Sequence, residues 1–170
     1  MRPGGHWPRA AVAVAAVFWV HEALLRGLRI DGVRPDMLLG AGIVAAIVGG
    51  PELGCVIAFV LGVLGDLFVD TPFGLSALIA CSVAFLVGTV RLTLGTHTRW
   101  AVPILTFLGS MLGEVLWALV GTVLGLPGLL HPHLATIAVV VATFNLVISV
   151  PLALLMRWVF APSVEGSYAG

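Results

Sequence analysis

Three acidic residues, Glu22, Asp66 and Glu114, stand inside or beside long apolar runs. A charge placed at mid-membrane costs about 2.5–3.5 kcal/mol on insertion scales, so each calls for a partner or a task. Glu22 has a neutralising neighbour in Arg26, one helical turn on and in the favourable acid-first order. His21 beside it reads as the polar end of a helix at an interface. Asp66 lies one turn before Asp70, so two carboxylates share a face at the end of a helix. The turn that follows is Thr71-Pro72-Phe73-Gly74, with Thr71 placed as an N-cap and Pro72 as the first helical residue. Both acids are expected to meet water there, and two carboxylates alone hold a metal ion poorly. Glu114 and Asn145 fall at similar depths in the last two apolar segments. A hydrogen bond between a protonated Glu114 and Asn145 would satisfy both, and we expect the pair to act as structural glue between two helices.

The remaining reactive residues offer less. Cys55 and Cys81 lie in apolar stretches, without a histidine or second cysteine at ligand spacing. They are expected to behave as small hydrophobes rather than as a zinc site or a disulfide. His131 and His133 flank Pro132 in a short loop, the pattern of a solvated turn. There is no glycine-rich phosphate loop ending in Lys and Ser or Thr, no Gly-x-Ser-x-Gly and no His-Glu-x-x-His. The chain is therefore not expected to be an enzyme or to carry a metal or other cofactor. Eight basic residues balance eight acidic ones. No basic run could follow a phosphate backbone, so nucleic acid is not an expected partner.

The elements that position these residues must be membrane helices. Hydrophobic residues make up 60% of the chain and charged residues 9%, where a soluble domain carries about 25% charged residues. Mean hydropathy is +1.15. Apolar runs broken by Pro, Gly and charge predict six helices, at about 10–28, 35–49, 53–70, 73–91, 101–126 and 134–160, within one integral membrane domain covering 1–170. The fold class expected is all-α, a polytopic transmembrane bundle. The first segment resembles a signal peptide but is read as an uncleaved helix because more apolar segments follow. The second, ending at Gly49-Gly50-Pro51, is short: a tilted helix, a re-entrant segment or the first half of a broken hairpin with the third. With the N-terminus cytoplasmic, Arg2, Arg9, Arg91, Arg99 and Arg157 lie inside while Arg26, Arg29 and Arg34 lie outside, a balance of five to three that the positive-inside rule prefers although the first loop runs against it. Trp7, Trp100 and Trp158 sit near predicted helix ends as interfacial anchors.

Small residues recur at four-residue spacing along several segments, the device that lets helix backbones approach closely. The third segment carries Gly54, Ala58 and Gly62. Similar pairs or triplets are Ala11/Ala15, Ala80/Ala84/Gly88, Gly109/Gly113 and Gly121/Gly125. Internal packing accounts for such strips, and an outward-facing one would receive a partner's transmembrane helix.

From Arg34 to Leu78 the chain resembles the MreD family, the small polytopic membrane component of the bacterial rod-shape system, or elongasome. The resemblance rests on Arg34-Pro35-Asp36-Met37-Leu38-Leu39, on Gly54 through Gly62-Val63-Leu64-Gly65-Asp66-Leu67-Phe68, and on Pro72-Phe73-Gly74-Leu75-Ser76-Ala77-Leu78. It implies a non-enzymatic scaffold in the bacterial cytoplasmic membrane that binds the single-pass MreC. Through MreC it would couple MreB filaments to the RodA-type peptidoglycan polymerase and its transpeptidase. It also implies a fold similar to the six-helix substrate-binding subunits of energy-coupling-factor vitamin transporters. Carried onto this chain, Pro35, Asp36, Gly62, Asp66, Pro72 and Gly74 would shape the helix breaks, and the small-residue faces would take MreC's helix. The alternative is a transporter subunit that captures a small molecule and docks on an energising module. Against it, the loops near 71–72 and 127–133 offer few polar groups to enclose a ligand.

Overall fold

A run of thirteen residues with no polar side chain, Met37–Gly49, occupies the centre of the molecule. The computed structural model describes residues 7–25, 27, 33–68, 72–94, 100–126 and 134–161, and these are helical nearly throughout. The helices are α1 (Trp7–Val20), continued by a π-helical turn (His21–Leu25), α2 (Met37–Gly49), α3 (Pro51–Asp66), α4 (Leu75–Leu94), α5 (Ala101–Val123) and α6 (Leu134–Phe160). Each predicted segment overlaps one of them, with α1 and α3 beginning two or three residues earlier than read and α4 ending three residues later. Arg2, Arg26, Arg29, Asp70, Thr71, Arg99, His131 and His133 lie outside the described residues.

Helix α2 touches every other α-helix of the bundle. It is apolar on all sides, as a helix with no solvent or polar face should be, and Leu38 through Ile47 are all buried. At 1.5 Å per residue it is about 20 Å long, against about 30 Å for the hydrocarbon core of a bilayer. Ringed by its neighbours, it need not match that thickness. Helices α4, α5 and α6 are each long and apolar enough to cross a membrane, whereas α1, α2 and α3 are shorter, where the sequence reading takes the second segment alone as short. The second segment is resolved as half of a hairpin. Gly50, at φ 93°, is the single residue between α2 and α3, its N–H donating to the carbonyl of Ala46 at 3.0 Å, and Pro51 starts α3. A left-handed φ costs a glycine nothing, and a proline in the first turn gives up no helical hydrogen bond.

The small residues of α3 face inward. A Cβ on Gly54 would overlap the backbone of Ala46 in α2, and one on Gly62 would overlap the backbone of Ala77 in α4. Ala58 is fully buried against Gly42. This strip is filled by the chain's own helices and is not open to a partner, which corrects the expectation that it would take MreC's helix. The Ala80/Ala84/Gly88 and Gly109/Gly113 strips are buried as well. Ala11 and Ala15 lie on the exposed side of α1, whose inner face is Ala10, Ala13 and Val17.

Cys55 and Cys81 meet as a disulfide between α3 and α4, with Cα atoms 4.4 Å apart. The sequence reading treats them as separate hydrophobes. What joins them is the close approach of α3 and α4 that Gly62 and Gly88 permit, since a Cβ on Gly88 would lie 2.8 Å from the Cα of Pro51.

The two ends of the bundle differ. At one, the start of α1 meets the end of α6: the Arg9 guanidinium donates to the carbonyl of Ala161 at 3.3 Å and stands 5.7 Å from the centre of the Trp158 ring. Trp7, Trp100 and Trp158 are exposed at this end, near Arg9, Arg91 and Arg157. At the other end the close of α1 packs on the close of α3, with the Phe18 and Phe68 rings 5.6 Å apart.

Candidate functional site

The second end gathers Arg34–Leu39, the close of the Gly54–Phe68 stretch and Pro72–Leu78, all from the family resemblance, and two aspartates order it. Asp36 is the N-cap of α2: its Oδ1 accepts from the backbone N–H of Leu38 at 2.9 Å and of Leu39 at 3.2 Å. These donors have no intrahelical acceptor, so an aspartate here satisfies them and complements the positive end of the helix. Pro35 before it is buried. Asp66, at the end of α3, is only 4% exposed, and its Oδ2 accepts from the N–H of Gly74 at 2.8 Å. Gly74 has φ 94°, a conformation open to glycine. Asp66 is thus not the water-facing acid expected; it ties the end of α3 to the start of α4. Helix α4 begins at Leu75 rather than at Pro72, with Pro72 in the exposed connection and its carbonyl accepting from the N–H of Leu75 at 3.1 Å.

Asn145 does not pair with Glu114. Its Nδ2 donates to Oγ of Ser110 at 2.9 Å, one turn earlier on α5, and its Oδ1 has no hydrogen-bond partner. Asn145 is fully buried and sits in the notch left by Gly40, where a Cβ would come within 2.6 Å of its side chain. This polar junction of α2, α5 and α6 is deep in the bundle, while Glu114 faces a cavity instead.

The cavity, of about 470 Å³, opens between the end of α1, the starts of α2, α4 and α6, the end of α3 and the second half of α5. Its polar lining comes from His21, Glu22, Arg34, Asp36, Ser76 and Glu114. Leu38, Leu39, Phe68, Ile79 and Trp117 supply apolar wall, and Gly62, Gly65 and Gly113 leave it room. The loops were expected to offer few polar groups for a ligand; here the groups come from helix ends and from the middle of α5. Sequence reasoning missed His21, Glu22, Arg34 and Trp117 as parts of one site. The available signal was topological: threading six antiparallel helices alternately up and down brings residues 21–22, 34–36, 62–68, 76–80, 113–117 and 137 to the same end.

The arrangement defines an all-helical bundle with an apolar exterior and a polar-rimmed cavity at one end. Comparison of the chain with protein-family models, with curated proteins and with solved structures finds no match to any of them.

Proposed function

We propose that the chain is a non-enzymatic, multi-pass scaffold of the bacterial cytoplasmic membrane, of the MreD type. It binds an MreC-like single-pass protein and through it links MreB filaments to a RodA-type polymerase and its transpeptidase. The observation that carries this reading is where the family-like residues fall. Asp36 caps the central helix, Gly62 admits the backbone of α4, and Asp66 holds Gly74 across the turn. Asp36, Asp66 and Gly74, from the stretches quoted for the resemblance, therefore set helix breaks at one end of the bundle, which suits a shared fold. Large exposed side chains such as Phe59, Phe85, Leu108, Val147 and Leu154 suit a lipid-facing exterior. The end bearing Arg9, Arg91 and Arg157 is the cytoplasmic one by the positive-inside rule, and the cavity then faces outward.

The cavity favours a second reading, the substrate-capture subunit of a small-molecule transporter with the six-helix fold of energy-coupling-factor subunits. One experiment separates the two. The tagged chain is crosslinked in its native membrane, purified, and its bound proteins identified by mass spectrometry. An MreC-like protein with a RodA-type polymerase supports the scaffold, whereas a transmembrane coupling protein with paired ATPases moves the assignment to transport.

A further inference from the structure

We propose that the seam between the start of α1 and the close of α6 binds an anionic phospholipid, with its phosphate at Arg9 and an acyl chain along the seam below. The inference rests on the membrane reading that both proposed functions share, and on neither function in particular.

Charge calls for an anion at this place. Arg9 is half-buried, and its guanidinium is held by the Ala161 carbonyl on one N–H and by the Trp158 ring 5.7 Å away. A guanidinium has five N–H donors and no acceptor, so most of its donors remain for a ligand. Among the described residues Glu52 is the only acid at this end of the bundle. It stands in the first turn of α3, where Pro51 packs on Gly88 of α4, and the α1–α6 side is left without one. Arg91 and Arg157 add to the positive rim. A half-buried cation at the edge of the hydrocarbon needs a counter-charge.

The surface below Arg9 makes that anion a lipid. Ala10 and Ala13 of α1 bury against Val159 of α6, which sets Arg9 and Trp158 side by side at the head of the seam. Val12 and Ala16 follow Arg9 on α1, and Leu154, Pro151 and Val147 precede Trp158 on α6, at spacings that keep each row on one helix face. All five are exposed. At 1.5 Å per residue the row from Trp158 to Val147 is about 16 Å long, close to the depth of one leaflet, about 15 Å. Helix α1 closes on α3 at its other end, Phe18 against Phe68, so the seam widens as it descends. Tryptophan rings sit at headgroup depth, and an arginine grips two phosphate oxygens at once. A soluble anion or an acidic peptide would use the guanidinium and leave both apolar rows uncovered.

The full chain, delipidated in mild detergent, is titrated with phosphatidylglycerol and with phosphatidylcholine, and the lipid-bound species are resolved by native mass spectrometry. The first phosphatidylglycerol is expected to bind at least about fivefold more tightly than phosphatidylcholine. Arg9→Gln should bring the two lipids to within about twofold of each other, and Arg9→Lys, a point charge without the fork, should keep part of the preference. Arg157→Gln removes the same charge from elsewhere on the rim and should leave the preference intact. A second measurement needs no variant: photoactivatable phosphatidylglycerol should crosslink to peptides of α1 and of the second half of α6. Phosphatidylcholine binding reports the lipid-facing exterior by itself, so failure of the headgroup site and failure of the membrane reading are told apart. Equal binding of the two lipids, an unchanged preference in Arg9→Gln, an equal loss in Arg157→Gln, or crosslinks spread evenly around the bundle would overturn the proposal.

Discussion

Replacing Gly54 or Gly62 by leucine tests whether the α3 strip is interior. At both sites the first added carbon meets backbone, Ala46 in α2 for Gly54 and Ala77 in α4 for Gly62. No rotamer change of a neighbour relieves such an overlap, so the helices must separate. Overpacking of a well-filled core costs about 1–3 kcal/mol, and these backbone contacts put the cost at the upper end. Leucine regains a little under 1 kcal/mol of helix propensity over glycine. The net loss expected is about 2 kcal/mol at either position. Ala15→Leu, on the exposed side of α1, is the control and should stay within about 0.5 kcal/mol of the parent. Stability is read by SDS titration in mixed micelles with far-ultraviolet circular dichroism, and partner recovery by crosslinking is measured on the same variants. If Gly54→Leu and Gly62→Leu unfold with the parent while partner recovery falls, the strip faces outward and the packing of α2, α3 and α4 described above is wrong.

Three further outcomes follow from single contacts. Asp66→Ala leaves the N–H of Gly74 without its acceptor and should cost about 1.5–3 kcal/mol in the same assay, whereas Asp66→Asn, which still accepts, should lose much less; equal losses would deny the hydrogen bond its role. A double-mutant cycle between Ser110→Ala and Asn145→Ala should show coupling of roughly 0.6–2 kcal/mol, and a cycle between Glu114→Gln and Asn145→Ala none. Coupling in the second cycle instead of the first would restore the Glu114 pairing read from the sequence. Cys55 and Cys81 should take up maleimide in the denatured protein only after reduction; two labels without reductant would show that the thiols are not joined.

The helices were legible because their breaks carry strong local signals. Gly50-Pro51 ends one and starts the next, and α6 coincides with the apolar run at 134–160. The central position of α2 was not legible, for a physical reason: a helix that is apolar all round has no polar face to reveal its orientation, and its thirteen residues look merely short for a span. Depth along a helix placed Glu114 and Asn145 level, but depth read from sequence does not resolve one turn of about 5.4 Å, and Ser110 lies one turn away on the same helix. The burial of Asp66 depended on the N–H of Gly74, which only the left-handed turn turns toward it. Alternation of helix direction, applied to the charged residues one by one, would have brought Glu22, Asp36 and Glu114 to one end.

The inward turn of the small-residue strips also limits how any partner helix can bind. Close backbone approach needs small residues on the contacting face, and most glycines of α2, α3, α4 and α5 are used within the bundle, while Ser82 and Thr89 stay exposed on α4. The outer faces carry Val56, Phe59 and Val60 on α3, Phe85 and Leu86 on α4, and Ile104 and Leu108 on α5. A partner helix meeting those faces is held at side-chain distance and gains by interdigitation, with interaxial spacing of about 8–10 Å, so no single glycine there decides the association. Of the strips read from the sequence, Ala11/Ala15 is the pair left wholly on the surface. Substitutions that weaken a partner without weakening the fold are therefore expected among the exposed residues, the small Ser82 and Thr89 of α4 and the α1 face included, and those at the α3 glycines act through the packing of the bundle.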